Sequence, residues 1–111
     1  MHAFDVLGDP VRRRILELLS DGERTAGEIA TSVAAEHGIS QPAVSQHLKV
    51  LRDNGFATAR AEGARRVYAL EHPALERAQA WLHALTHQWD QPLDALATEV
   101  ARGRRERRRP S

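Results

Sequence analysis

The sequence predicts a mainly α-helical fold with one small β-hairpin, and three observations carry that prediction. Apolar residues recur at helical spacing along most of the 111 residues. Helix start and stop signals punctuate the same stretches. One segment, "FATARAEGARRVYAL" at 56–70, changes to a period of two around a glycine. The length suits one domain with one core.

Each element can be justified in order. A short helix is expected from about Ala3 to Leu7. The next, "DPVRRRILELLSDG", has Asp9 as its cap and Pro10 at the first helical position, where a missing N–H costs nothing. Val11, Ile15, Leu18 and Leu19 form its stripe, and Gly22 ends it. A third helix starts at "TAGE", where Thr25 and Glu28 have capping-box spacing. Its buried face is Ala26, Ile29, Ala30, Val33 and Ala34, and Gly38 stops it.

Ser40 then caps "SQPAVSQHLKVLRDNG", with Pro42 in the first turn and Gly55 at the end. Val44, Leu48 and Leu51 make a narrow apolar side. Pro42, Gln46, Lys49 and Asp53 lie opposite, with Ser45 beside them. Two helices joined by a short glycine-containing turn are a helix-turn-helix candidate. Ordinary helical hairpins fit that description too, so a DNA-reading face and a merely solvated one both stay open at this point.

The alternating segment follows directly. Glu62-Gly63 can reverse a hairpin, with Phe56 and Thr58 on one face of the first arm and Tyr68 and Leu70 sharing a face of the second. Its tip carries Arg60, Arg65 and Arg66 against Glu62. A charged tip is usually just solvated, but its place after the paired helices is that of a wing. Residues 72–101 return to helix, with Pro73 in the first turn and Leu75, Ala78, Trp81, Leu82, Leu85 and Trp89 on a broad apolar side. Pro92 predicts a kink or break at 90–92. Asp90 would cap a further helix holding Leu93, Leu96 and Val100.

Charge and composition narrow the function classes. Cysteine is absent, which excludes disulfides, thiolate chemistry and cysteine metal ligands. No apolar run reaches membrane-spanning length and no signal-peptide pattern opens the chain, so a cytoplasmic protein with no membrane partner is expected. The net charge of +1 hides an asymmetry. Residues 102–111, "RGRRERRRPS", hold six arginines against one glutamate, a local +5; the preceding residues, with ten basic and fourteen acidic side chains, carry −4. The organisation expected is a domain over 1–101 and a basic, disordered tail over 102–111. Lys49 is the only lysine.

"DPVRRRILELL", "ISQPAVSQHLKVLRDNG" and "RRVYAL" together resemble the ArsR/SmtB family of bacterial winged helix-turn-helix repressors, over about residues 3–72. The C-terminal part, with its two tryptophans and "LDAL", is similar to a subgroup without metal-sensing cysteines. The resemblance implies a homodimer joined through the first and last helices, which places Phe4, Leu75, Trp81, Leu82, Leu85 and Trp89 at the dimer interface. It also implies repression at a palindromic operator in double-stranded DNA, often relieved by a small-molecule inducer. Residue by residue, the base-reading and phosphate-binding positions fall on Ser40, Gln41, Ser45, Gln46 and Lys49, and the wing contacts on Arg60, Arg65 and Arg66. His47, toward the apolar flank, is expected to bond within the fold. The residue types suit these roles: an amide can meet an adenine edge, hydroxyls and helix-start N–H groups a phosphate, and cations the backbone charge. One departure stands out, since "TSVAAEHGIS" is about four residues longer than the family's usual stretch between the motif helices.

No cofactor is expected. The family's cysteine site has no counterpart in "TAGEIATS", and at the positions of its second site, His72, Ala74, Leu85 and Gln88, only His72 could ligate. His83, His87 and Asp90, at i, i+4 and i+7, are the one low-weight metal candidate; on it rests an alternative reading as a metal-responsive repressor. Trp81 and Trp89 suit a dimer core better than a ligand pocket. A winged-helix module for protein partners is the other alternative. No G-x-S-x-G, phosphate loop or cysteine nucleophile marks an enzyme.

Overall fold

The computed structural model describes residues 2–100, with side chains as far as His87. In chain order the elements are α1 (Ala3–Leu7), α2 (Pro10–Ser20), β1 (Arg24–Thr25), α3 (Ala26–His37), α4 (Gln41–Asp53), β2 (Ala57–Glu62), β3 (Arg65–Leu70) and α5 (His72–Val100). They fall into two units, one through Ala78 and one from Gln79.

Local chemistry sets the helix boundaries. The Asp9 carboxylate accepts from the N–H groups of Val11 (2.8 Å) and Arg12 (3.3 Å) at the start of α2. Thr25 and Glu28 form the expected reciprocal capping box on α3. Gly38 ends α3 at φ 64°, the left-handed region that a side chain would strain. Ser40 Oγ then accepts from Ala43 N–H to start α4. The long stretch between the motif helices is therefore continuous helix to His37 followed by a short turn. Its last turn is tied to α2, because Arg14 donates from Nε and Nη2 to both carboxylate oxygens of Glu36.

The core of the first unit lies between α2, α3, α4 and the sheet. Val6, Ile15, Ile29, Val33, Val44 and Leu51 are fully buried, with Leu48 and Phe56 nearly so. Each such side chain contributes about 1.5–3 kcal/mol relative to exposure. No charged side chain is buried among the described residues. On α2 the buried set is Val11, Ile15, Leu16 and Leu19, with Leu18 only partly covered. Leu16 thus takes the buried place expected of Leu18, because α2 is packed by α1, α3, α4 and β3 rather than on one side.

The hairpin is part of a three-stranded antiparallel sheet in the order β1-β3-β2. The β1 strand, absent from the sequence expectation, pairs Arg24 with Tyr68 and Thr25 with Val67. The β2–β3 register runs from Ala57↔Leu70 to Glu62↔Arg65, so the two-residue turn is Gly63-Ala64, one position later than expected. Gly63 takes φ 64° there. Ala57 and Ala59 oppose Leu70 and Tyr68 and share their face; Thr58 is exposed on the other. Phe56 does not share a strand face with Thr58, as had been expected, because it precedes β2 and is buried with α4 and α5 residues in the core.

The α5 helix contributes Ala74 and Ala78 to the first unit's core, with Leu75 packed against it. Of the kink or break expected at 90–92, the break does not form: α5 is helical to Val100. A proline forfeits one helical hydrogen bond, and the leucines and alanines around it are strong helix formers. In the second unit Trp81, Leu82 and Leu85 are 49%, 48% and 47% exposed. No helix among the described residues is long and apolar enough to cross a membrane.

Candidate nucleic-acid interface

α4 has one side committed to the core and one side left open. Val44, Leu48 and Leu51 are buried as their spacing predicts. Gln41, Ser45, Gln46 and Lys49 are all exposed on the remaining surface. The side chains of Gln41, Ser45 and Gln46 make no hydrogen bond among the described residues. Ser40 Oγ accepts at the helix start, which leaves its O–H and the Gln41 N–H at a positively polarised helix end. Lys49 is engaged: its Nζ lies 2.7 Å from Asp53 Oδ2, one turn along the helix. That hydrogen bond holds the Asp53 carboxyl below the usual carboxylate range.

His47 is half-buried and points away from the open side. Its Nδ1 sits 3.2 Å from Arg12 Nη1 and 4.0 Å from Asp9 Oδ1. It bonds within the fold, as its helical phase predicts. Burial pushes the Asp9 carboxyl up, but the N–H donors of Arg12 and Val11, with His47 and the Arg12 guanidinium nearby, outweigh that and hold it below the usual range.

The hairpin follows α4 after a tight stop. Phe56 N–H donates to Leu51 C=O and Gly55 N–H to Arg52 C=O, the paired bonds of a glycine-terminated helix. Gly55 needs its freedom, with φ 82°. α4 packs against β2, so the strand leaves the helix at once. Arg60, Arg65 and Arg66 are all exposed, but they differ in company. Arg60 Nη1 reaches Glu23 Oε2 at 2.9 Å and its Nη2 reaches Glu62 Oε2 at 3.0 Å. Both hydrogen bonds raise its pKa, and the first lowers that of Glu23. Arg65 touches Glu62 at 3.4 Å. Arg66 has no ion pair among the described residues.

Sequence reasoning missed Glu23, and missed Arg12 as the partner of His47. Neither carried a local signal, since the pairs are 37 and 35 residues apart. Of the expected interface residues, Phe4 is partly exposed on α1 and stacks on His2, and Leu75 packs against the core. Trp81, Leu82 and Leu85 are the half-exposed residues noted above; the side chain of Trp89 lies outside the described residues. His83 and His87 stack with ring centroids 6.0 Å apart. Asp90's side chain is also outside the described residues, and no group of three metal donors forms among those described.

This geometry has counterparts in known proteins. Residues 9–59 match the family model for bacterial regulatory proteins of the arsR family. The chain is 39% identical over 89 residues to the HTH-type transcriptional regulator Rv2034 of Mycobacterium tuberculosis, covering 76% of this chain and 79% of that protein. It is 33% identical over 93 residues to the transcriptional repressor SdpR of Bacillus subtilis, covering 83% of this chain and 98% of that one. Among solved structures it is similar to an ArsR family transcriptional regulator, RHA00566, with TM-score 0.69 and 30% identity over 79% of this chain and 87% of that one. It is also similar to the homodimeric winged helix-turn-helix DNA-binding domain of Mb0332 from Mycobacterium bovis, with TM-score 0.58 and 29% identity over 78% and 76% of the two chains. A helical pair and a wing in this order recur along nearly the whole length of such regulators, and the chain belongs with them, as a member of the arsR family of bacterial winged helix-turn-helix transcriptional regulators.

Proposed function

We propose that the protein is a dimeric repressor that binds a palindromic operator through α4 and the hairpin. The observation that carries this reading is the outer side of α4, where two amides and a hydroxyl stand exposed without internal partners. Gln46 and Gln41 present the donor and acceptor pair that matches an adenine edge. Ser40, Ser45 and the helix-start N–H groups hold phosphate and fix the register. Lys49, Arg60, Arg65 and Arg66 neutralise phosphates along the flanks. Trp81, Leu82 and Leu85, with Phe4, Leu75 and Trp89, are the residues we assign to the homodimer, and a two-fold pair would set the reading helices about 34 Å apart, one turn of duplex. The basic tail adds sequence-independent affinity. In this reading the protein works in the cytoplasm, DNA binding needs no metal, and any inducer acts through the last helix.

The test is fluorescence anisotropy with the DNA upstream of the protein's own gene, against random competitor, in EDTA and then with zinc. Tight, salt-sensitive, competitor-resistant binding in EDTA is the expected result. Binding that zinc abolishes would move the sensing role to the stacked His83–His87 pair. Absence of specific binding to any sequence selected from random DNA would overturn the reading and favour a protein partner.

A further inference from the structure

Arg12 uses all three nitrogens of its guanidinium within the first unit. Its Nε donates to Val6 C=O (2.8 Å) and its Nη2 to Asp5 C=O (2.9 Å), closing the C-terminal end of α1. Its remaining Nη1 meets His47 Nδ1, on α4, at 3.2 Å. One planar fork thus joins three elements, α1, α2 and α4. A guanidinium carries only donors, so this contact is a hydrogen bond only when Nδ1 is the bare, accepting nitrogen of a neutral imidazole with its proton on Nε2. A proton on Nδ1 would set two cations against each other at hydrogen-bond distance. Among the described residues the other charged group facing His47 is Asp9, whose carboxylate, 4.0 Å from Nδ1, is too far for a hydrogen bond but would attract a protonated ring while Arg12 repels it. The other elements packed on α4, α3 and β2, place no charged atom in bonding or ion-pair contact with His47 among the described residues.

We propose that Arg12 and His47 are positioning residues that hold α4 in its DNA-reading orientation, and that the latch releases when His47 takes up a proton. The inference rests on the reading of α4 as the DNA-contacting helix. It has an uncommon sign. Added positive charge on a DNA-binding protein ordinarily strengthens binding as pH falls. Release of the latch weakens it as pH falls.

The experiment compares the full-length protein with His47→Gln, which keeps a neutral acceptor and does not titrate, by operator anisotropy from pH 8 to pH 5.5 at constant ionic strength. The expected result is similar affinity at pH 8, with the unsubstituted protein losing about tenfold more affinity than His47→Gln at pH 5.5. Arg12→Lys, which cannot bridge three acceptors in one plane, should weaken binding at pH 8 and flatten the difference. Parallel pH profiles for the protein and His47→Gln would overturn the proposal. A second measurement does not depend on DNA: nitrogen-15 NMR of the imidazole at pH 8 should show His47 as the Nε2–H tautomer. An Nδ1–H tautomer would sink the latch even if the operator binds, and the Nε2–H tautomer in a protein that binds no DNA would sink the DNA reading instead.

Discussion

The outer side of α4 and the hairpin tip are neighbours in the chain and both polar, yet they are prepared in opposite ways. On α4 the exposed amides and Ser45 have no internal partners. On the hairpin, Arg60 and Arg65 are already paired with glutamates. A neutral amide left open in water loses little and discriminates strongly when it meets the right base edge. A paired arginine must exchange one anion for another, so its net gain from a phosphate is small. In the proposed reading the helix would therefore distinguish sequences, and the wing would be held in shape and contribute charge.

The sharpest way to break this contrast is Gln46→Ala. It should cost specific binding about 1–3 kcal/mol while leaving affinity for random DNA nearly unchanged. An equal loss on both DNAs would reduce Gln46 to a backbone contact. Ser40→Ala comes next, because it removes the α4 cap: thermal or urea unfolding should show a loss of about 1 kcal/mol, with DNA of every sequence bound more weakly. A stable variant with normal binding would separate Ser40 from both roles.

Smaller effects separate the arginines. Arg66→Ala should lower the slope of log affinity against log salt by about one. Arg60→Ala should lower it by less, since Glu23 and Glu62 already compete for that side chain. Equal slopes for the two variants would erase the distinction between free and paired cations. Smallest of all, Glu23→Gln frees Arg60 in part and should strengthen binding to any DNA about two- to threefold. Its pH dependence has a definite sign. Arg60 holds the folded-state pKa of Glu23 below its ordinary value of 4.5, so the pair's stabilisation is present above that value and disappears as pH falls through the lowered one. Acid unfolding of Glu23→Gln should therefore begin at a slightly higher pH than in the unsubstituted protein only if the pair contributes measurably; coincident curves would mean solvent screens it out.

What could be read from the sequence was what is encoded locally. The Asp9, Thr25–Glu28 and Ser40 caps lie within three residues of the N–H groups they satisfy, and Gly38 announces its own turn. The narrow apolar side of α4 follows from spacing alone. What escaped depends on the folded chain. β1 is two residues long and exists only through pairing with β3. Leu16 is buried because α2 has neighbours on several sides. Alternation in 56–70 gives the right phase on the second arm, where Tyr68 and Leu70 share a face, and the wrong one on the first, since burial of Phe56 comes from the end of α4 and not from the sheet. The ties Arg12–His47 and Arg60–Glu23 join residues that only the tertiary structure brings together.

The sheet has a further consequence for the protein at high concentration. β1 protects only two residues of one side of β3, and the outer rim of β2 has no neighbouring strand. Such a rim is a template on which a second chain can stack by main-chain hydrogen bonds. Arg60 and Glu62, paired on one face of that strand, put two opposite charges where an incoming backbone would lie. The charges that hold the wing in shape thus also oppose edge pairing, and replacing both with β-branched apolar residues should promote self-association through the sheet.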